Sequence, residues 1–351
     1  MSSRLIVTGD VFRPFRRANG WESATWKNIR WLDGIVGTAA RLAGWEVSTV
    51  AWDEGLPDGH GFFDTPAFYD LLGLPVSIES WAQVITRPSL PAEIEAAIAT
   101  LLDADLVVGS EMPDHLLRIL DAAGTAVVDV VAHPVRFLDD LVMALRTNRA
   151  DIHARLLRHA FDLDAAVMQA GWIRSKVAWM APPLPLVPGT ALVLGQVADH
   201  ADTIRDLALA SAMVLFKPHP YDRPDSATQR MMRGLGAVRW TDTNLYHLLA
   251  RPEIETVCAI NSSGLDEAEF FGKRVIRLAP PLHVHGDAPP PAAGGFGEAV
   301  PQDDAWCDPS FWRALRTGDD EDRPLLAPRA NRLRRSLNAD WGFCAIDRIL
   351  A

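Results

Sequence analysis

The sequence predicts an α/β protein built from two doubly wound, mostly parallel sheets and a C-terminal helix. Three observations carry that prediction. Short apolar runs alternate with segments of helical periodicity along most of the chain, the rhythm of parallel strands covered by helices on both faces. The rhythm breaks once, at "MAPPLPLVPG" (180–189), where four of the chain's 25 prolines fall together, and then restarts. The chain has 351 residues, 48% of them hydrophobic, enough for two ordinary domains with a core each.

The elements follow in order. "RLIVTGD" (4–10) reads as a first strand and is followed by a polar loop, "DVFRPFRRANGWESATW" (10–26), rich in Arg and Trp. In "TWKNIRWLDGIVGTAARLAGW" (25–45), Ile29, Leu32, Ile35, Val36, Ala39 and Leu42 recur at spacings of three and four, so they share one helix face. "EVSTVAW" (46–52) is a strand, and "LPAEIEAAIATLLDA" (90–104) a helix with Pro91 near its start. "DLVVGSE" (105–111), "MPDHLLRILDAAG" (112–124) and "AVVDVVAH" (126–133) read as strand, helix and strand. Beyond the proline-dense linker come "TALVLGQV", "MVLFKPH", "GAVRW", "TVCAIN" and "KRVIRL" as strands, with helices between them. Residues 287–304 are loop by composition, 318–322 ("GDDED") an acidic turn, and 330–350 an amphipathic helix. The two Rossmann-like halves are expected at 1–182 and 183–308, with 309–351 as a helical tail packing back on the first half.

Composition excludes several classes. A net charge of −11 argues against nucleic acid as the partner. The three cysteines, Cys258, Cys307 and Cys344, lie far apart with no CxxC, so neither a disulfide framework nor a zinc ribbon is indicated. No run reaches the roughly 18 apolar residues of a membrane span, and the N-terminal apolar run is too short for a signal peptide. A soluble, cytoplasmic protein is expected.

In open α/β sheets ligands bind beyond the carboxyl ends of the strands. Four such ends carry chemistry. In "VLFKPHPYD" (214–222) a buried strand runs into Lys217 and His219, which can donate to a phosphate; Pro218 and Pro220 restrict the histidine's direction. In "INSSGLDEAEFFGKRVIRL" (260–278), Ser262, Ser263 and Gly264 form a polar turn before a helix. Glu267 can accept there from ribose hydroxyls, or Ser263 and Glu267 simply cap the helix. In "LVLGQVADHAD" (192–202) the strand is followed by Gln196, Asp199, His200 and Asp202, where Asp199 is either a cap or a catalytic carboxylate. In the first half, Glu111 closes one strand, and Asp129, His133 and Arg136 follow the same logic in "VDVVAHPVRFLDDL" (128–141). The D-x-D at 162–164 ("DLD") reads as a helix end. His283 and His285 form an H-x-H without an evident third ligand, so no metal is expected.

The stretches "LGQV" with its following Asp, "KPHP" and "SSGLDEAEFFGKRVI" in one half, with "SEMPDHLLRILDAAG" and "DVVAHPVRFLDD" in the other, resemble bacterial capsule and O-antigen glycosyltransferases. They are most similar to the retaining β-Kdo transferases that use CMP-β-Kdo. The resemblance covers roughly residues 100–280. It implies the two-domain GT-B architecture, with the two domains facing a cleft: the first on the acceptor side, the second holding the nucleotide sugar. It implies Asp199 as nucleophile, although His200 stands where the family often has an acid, which leaves Asp202 open. It implies Glu111 as acid/base, His219 near the donor's phosphate or carboxylate, and Ser262, Ser263 and Glu267 as the nucleotide-binding motif. Lys217, Gln196 and Arg136 are further contacts for the anionic donor. The expected partners are a nucleotide sugar and a glycan or glycolipid acceptor, with no separate cofactor. Peripheral contact with the inner membrane is open, through Arg329, Arg332, Arg334 and Arg335; the same arginines could instead pair with the chain's own carboxylates. Alternatives on the same fold are an inverting transferase using CMP-sialic acid or a UDP-sugar, a UDP-sugar 2-epimerase, and a non-catalytic sugar-nucleotide-binding protein.

Overall fold

The computed structural model describes residues 3–17, 20–23, 26–51, 61–181, 183–195, 211–219, 230, 233–234, 238–318 and 333–334. The chain packs as two compact units. The first comprises the chain up to His133, Val142–Phe161 and the stretch from His285; the second comprises Pro134–Leu141 and Asp162–Val284.

Strands β1 (Arg4–Gly9), β4 (Glu46–Ala51), β5 (Gly61–Phe62), β6 (Leu106–Ser110), β7 (Ala126–Ala132), β8 (Met143–Thr147) and β14 (Val300–Gln302) form the sheet of the first unit. Its order is β14-β8-β7-β6-β1-β4-β5. The pairs from β5 to β7 are parallel, whereas β8 runs antiparallel to β7 and β14 antiparallel to β8. β6 and most of β7 are buried on both faces, as strands of a helix-covered sheet are. The second unit carries β9 (Thr190–Leu194), β10 (Met213–Lys217), β11 (Val238–Trp240), β12 (Ile254–Ala259) and β13 (Arg274–Arg277), all parallel, in the order β11-β10-β9-β12-β13. Ala191, Val193, Val214, Phe216 and Cys258 form one buried cluster of its core. Both units are Rossmann-like.

Several expectations are corrected. Residues 10–26 are not all loop: β2 (Pro14–Arg17) and β3 (Gly20–Ser23) pair as an antiparallel hairpin. The helix expected over 25–45 forms, with a π turn at Asp33–Gly37 between Trp26–Leu32 and Thr38–Leu42. The loop at 287–304 contains β14, which the edge of the sheet admits despite Pro301. "DLD" ends no helix; it leads into Asp164–Met180, with Asp162 accepting from the Asp164 N–H. The units also divide the chain differently from the contiguous halves. Residues 162–182 fall with the second unit and the chain from His285 with the first, because β14 completes the first sheet beside β8. Helix Pro309–Thr317 packs on Thr38–Leu42 within the first unit, with the Trp45 indole N–H donating to the Trp312 carbonyl. Cys258 and Cys307 are buried and in no disulfide, and Cys344 lies outside the described residues.

Candidate functional site

β9 is the centre of the second sheet. The chain leaves it outward through β10 to β11, then returns to β12 and β13 on the other side. The connections after β9 and β12 therefore diverge, and a crevice opens beyond their carboxyl ends, at the topological switch point. A cavity of about 480 Å3 lies there within the second unit. Its walls come from the ends of β9 (Leu194, Gly195), β10 (Lys217, His219) and β12 (Ser262, Ser263), and from Tyr246, Glu267 and Arg136.

Two glycines set its floor. A Cβ on Gly195 would stand 2.9 Å from Phe216 Cζ and 3.1 Å from both the His219 nitrogen and Pro218 Cα. A Cβ on Gly264 would stand 2.8 Å from Leu194 Cδ1. Only glycine lets these strand ends approach so closely. The Gly195 N–H donates to the Lys217 carbonyl at 2.8 Å, holding the KPH segment against β9.

Lys217 projects its Nζ to the carbonyls of Thr243 (2.8 Å) and Asp242 (3.4 Å), so it braces the turn after β11 while lining the cavity. Burial pulls its pKa down, against the nearby Asp242 carboxylate. His219 is half-buried at the cavity wall. The Ser262 hydroxyl accepts from the Gly264 N–H at 3.2 Å, whereas Ser263, in the N-cap position, makes no side-chain capping bond. Ser263 therefore does not cap the helix through its hydroxyl. The helix behind it, Gly264–Phe270, is barely two turns long, so its dipole is small and the side chains carry the polarity.

Glu267 is only 3% exposed. One oxygen, Oε1, accepts from the Arg136 backbone N–H (2.9 Å) and from the Tyr246 hydroxyl (2.8 Å). Burial raises its pKa from 4.5 to about 7, against the lowering pull of those hydrogen bonds and the Arg136 charge. It is thus a buried carboxyl of the cavity wall whose charged form is disfavoured, not an open carboxylate. Arg136, far from this region in sequence, is brought in by Pro134–Leu141, which belongs to the second unit and packs Phe137 against Tyr246, Phe270 and Phe271. Tyr246 was not foreseen. Its only sequence signal is Asn244, whose side chain caps the helix Leu245–Leu249 by accepting from the Tyr246 N–H.

In the first unit, β1 and β6 flank the corresponding switch point. Glu111 follows β6 directly, is exposed, and stands at φ 48°; among the described residues it is the one non-glycine with positive φ. Its N–H donates to the Val130 carbonyl, and the next N–H, of Met112, donates to Asp129 Oδ1 at 2.9 Å. Asp129 is fully buried and pairs with Arg146 at 2.9 Å, and burial raises its pKa. It holds the Glu111 turn rather than facing solvent. Asp10, also unforeseen, directly follows β1. It accepts from the Phe12 N–H (3.1 Å) and the Trp81 indole (3.0 Å), and burial raises its pKa to about 6. Arg13, of the Arg-rich segment, lies over the Trp81 ring. His133 is buried edge-on to His285, with its pKa lowered to about 3. No group of three metal-ligating side chains occurs among the described residues. Gln196, Asp199, His200 and Asp202 lie outside the described residues, as do Arg329, Arg332 and Arg335. Arg334 is buried.

No family model matches the sequence, and no curated protein matches it. Among solved structures it is similar to the β-Kdo 2,7-transferase KpsC of Thermosulfurimonas dismutans, at 14% identity and TM-score 0.33, over 55% of this chain and 71% of that one. It is also similar to the β-Kdo 2,4-transferase KpsC of the same organism (13%, 0.32, 51% and 70%). A third likeness is to the UDP-GlcNAc 2-epimerase of Neisseria meningitidis (12%, 0.27, 79% and 82%). The fold assignment rests on the strand order given above.

Proposed function

We propose that this chain is a glycosyltransferase that takes Kdo, or a related 2-keto sugar acid, from a CMP donor and passes it to a bacterial surface glycan or glycolipid. The observation that carries the reading is the convergence, in one switch-point cavity, of three stretches far apart in sequence: Lys217 to His219, Ser262 to Glu267, and Arg136. Such a donor brings a phosphate, a carboxylate and ribose hydroxyls. Cationic and hydroxyl groups suit the first two. Glu267, with Oε1 already engaged, suits a ribose hydroxyl.

In this reading His219 and Arg136 meet the anionic part of the donor, Ser262 and Ser263 the nucleotide, and Gln196 the sugar. Asp199, with Asp202 as its neighbour candidate, attacks the anomeric carbon; the bond to phosphate breaks and CMP leaves with the electron pair. Glu111 then takes the proton of the acceptor hydroxyl, whose oxygen displaces the aspartate, so configuration is retained. The test is intact-mass analysis after incubation with CMP-β-Kdo. Wild type is expected to gain the mass of one Kdo residue, Asp199→Asn none, and Glu111→Gln a persistent adduct. Neither adduct nor CMP release in the wild type would overturn the reading.

A further inference from the structure

Tyr246 stands in the wall of the switch-point cavity, and the fold aims its hydroxyl at one atom. The Asn244 side chain starts helix Leu245–Leu249 by accepting from the Tyr246 N–H. The ring packs edge-on to Phe137, with centroids 5.7 Å apart, and nearly parallel to Phe271 at 6.4 Å, which leaves the residue buried. A tyrosine buried this far needs a partner for its hydroxyl. Here the hydroxyl donates to the buried Glu267 carboxyl, at 2.8 Å. The Arg136 backbone N–H donates to the same oxygen, Oε1, at 2.9 Å. Oε2 takes no hydrogen bond among the described residues, although Glu267 lines the cavity. A buried carboxylate with a purely structural role would satisfy both oxygens, because a lone pair stranded away from water is costly. Two donors on one oxygen and none on the other hold the carboxyl in one orientation, with an acceptor in reserve.

We propose that Tyr246 is a positioning residue for ribonucleotide binding: its hydroxyl, with the Arg136 N–H, fixes Glu267 so that Oε2 accepts from a ribose hydroxyl. The role rests on the nucleotide reading of the cavity and adds to it the group that orients the carboxyl. Two effects of the hydroxyl work together. It restrains rotation about the last torsion of the glutamate, which is soft when nothing holds it. It also favours the ionised form, against the burial that raises the Glu267 pKa, and an ionised acceptor makes the stronger hydrogen bond. Without the hydroxyl, the Arg136 N–H alone holds Oε1, and the carboxyl is freer to turn and easier to protonate.

The experiment is titration calorimetry of the full chain with CMP and with its 2′,3′-dideoxy analogue, for wild type, Tyr246→Phe, Glu267→Gln and the double variant. Tyr246→Phe keeps the ring contacts with Phe137 and Phe271, and thermal melting serves as the folding control. Wild type is expected to bind CMP at least about 10-fold more tightly than the analogue, the worth of one charge-assisted hydrogen bond. Tyr246→Phe should cut that ratio to about 3-fold or less while leaving the affinity for the analogue unchanged. In the Glu267→Gln background it should have no further effect on the ratio, as two residues acting through one contact require. Equal losses for both ligands in Tyr246→Phe would overturn the proposal by reducing the residue to packing. Additive losses of the ratio in the double variant would overturn it too. A wild type that binds both ligands equally would take the ribose contact from Glu267, and the positioning role with it, while leaving the nucleotide reading intact. A wild type that binds neither would contradict the nucleotide reading itself, and the positioning role falls with it.

Discussion

Glu111 is held in a left-handed backbone conformation that costs a non-glycine residue roughly 1–2 kcal/mol. Its neighbours impose it: the Glu111 N–H continues the ladder to Val130, and the Met112 N–H is drawn to Asp129. Glu111→Gly should therefore raise the melting temperature by a few degrees, from relief of about 1 kcal/mol, while abolishing transfer. Unchanged or lower stability would mean that the side chain has a structural role. Glu267 gives a pH signature. Its folded pKa, about 7, stands above its ordinary 4.5, so folding favours the protonated form. The stabilisation is complete below the ordinary value and is lost as pH rises through about 7. Glu267→Gln keeps the acceptor for Tyr246 and Arg136 but cannot ionise. Relative to wild type it should gain on the order of 3 kcal/mol between about pH 4.5 and about pH 8.5, read from denaturant melts. Asp10 and Tyr246 were invisible at this scale in the sequence, because burial and partners come from residues such as Trp81 and Glu267 that local pattern does not connect.

The strands that bear the candidate site were legible as elements because each is an apolar run ending abruptly in polar or glycine residues. β9 stops at Gly195, β10 at Lys217 and β12 before Ser262, and those stops are where the cavity lies. The antiparallel strands were not legible. β8 carries Arg146 in mid-strand, and that arginine makes sense only as the partner of buried Asp129 on β7. β14 contains Pro301, and β2 (PFRR) and β3 (GWES) are four residues each with no apolar run to read as a strand. Two predictions belong to these elements. Asp129→Asn removes one member of a buried pair and should cost about 3 kcal/mol in chemical denaturation. A cost under about 0.5 kcal/mol would mean the pair is not formed. Gly195→Ala places a methyl against Phe216 and the KPH backbone; it should lower nucleotide affinity at least about 10-fold, at a stability cost of about 1–3 kcal/mol. Unchanged affinity in titration calorimetry would place the nucleotide elsewhere.

For the whole chain, the count of two Rossmann-like units was readable from the restarted strand–helix rhythm after the prolines. The path between them was not. Local periodicity treats the chain as consecutive halves, whereas Pro134–Leu141 joins the second unit through Phe137 and the chain from His285 returns to the first through β14. The excursion of Pro134–Leu141 brings Arg136, from a stretch that reads as part of the first half, to the cavity wall of the second. The central claim is that this cavity holds the nucleotide of a CMP-activated donor. Titration calorimetry of CMP into wild type, His219→Ala and Ser263→Ala tests it most directly. We expect saturable one-site binding to the wild type, weakened at least about 10-fold by either substitution, as loss of a charge-assisted or buried hydrogen bond requires. No CMP binding, or binding of equal strength in all three proteins, would contradict the account.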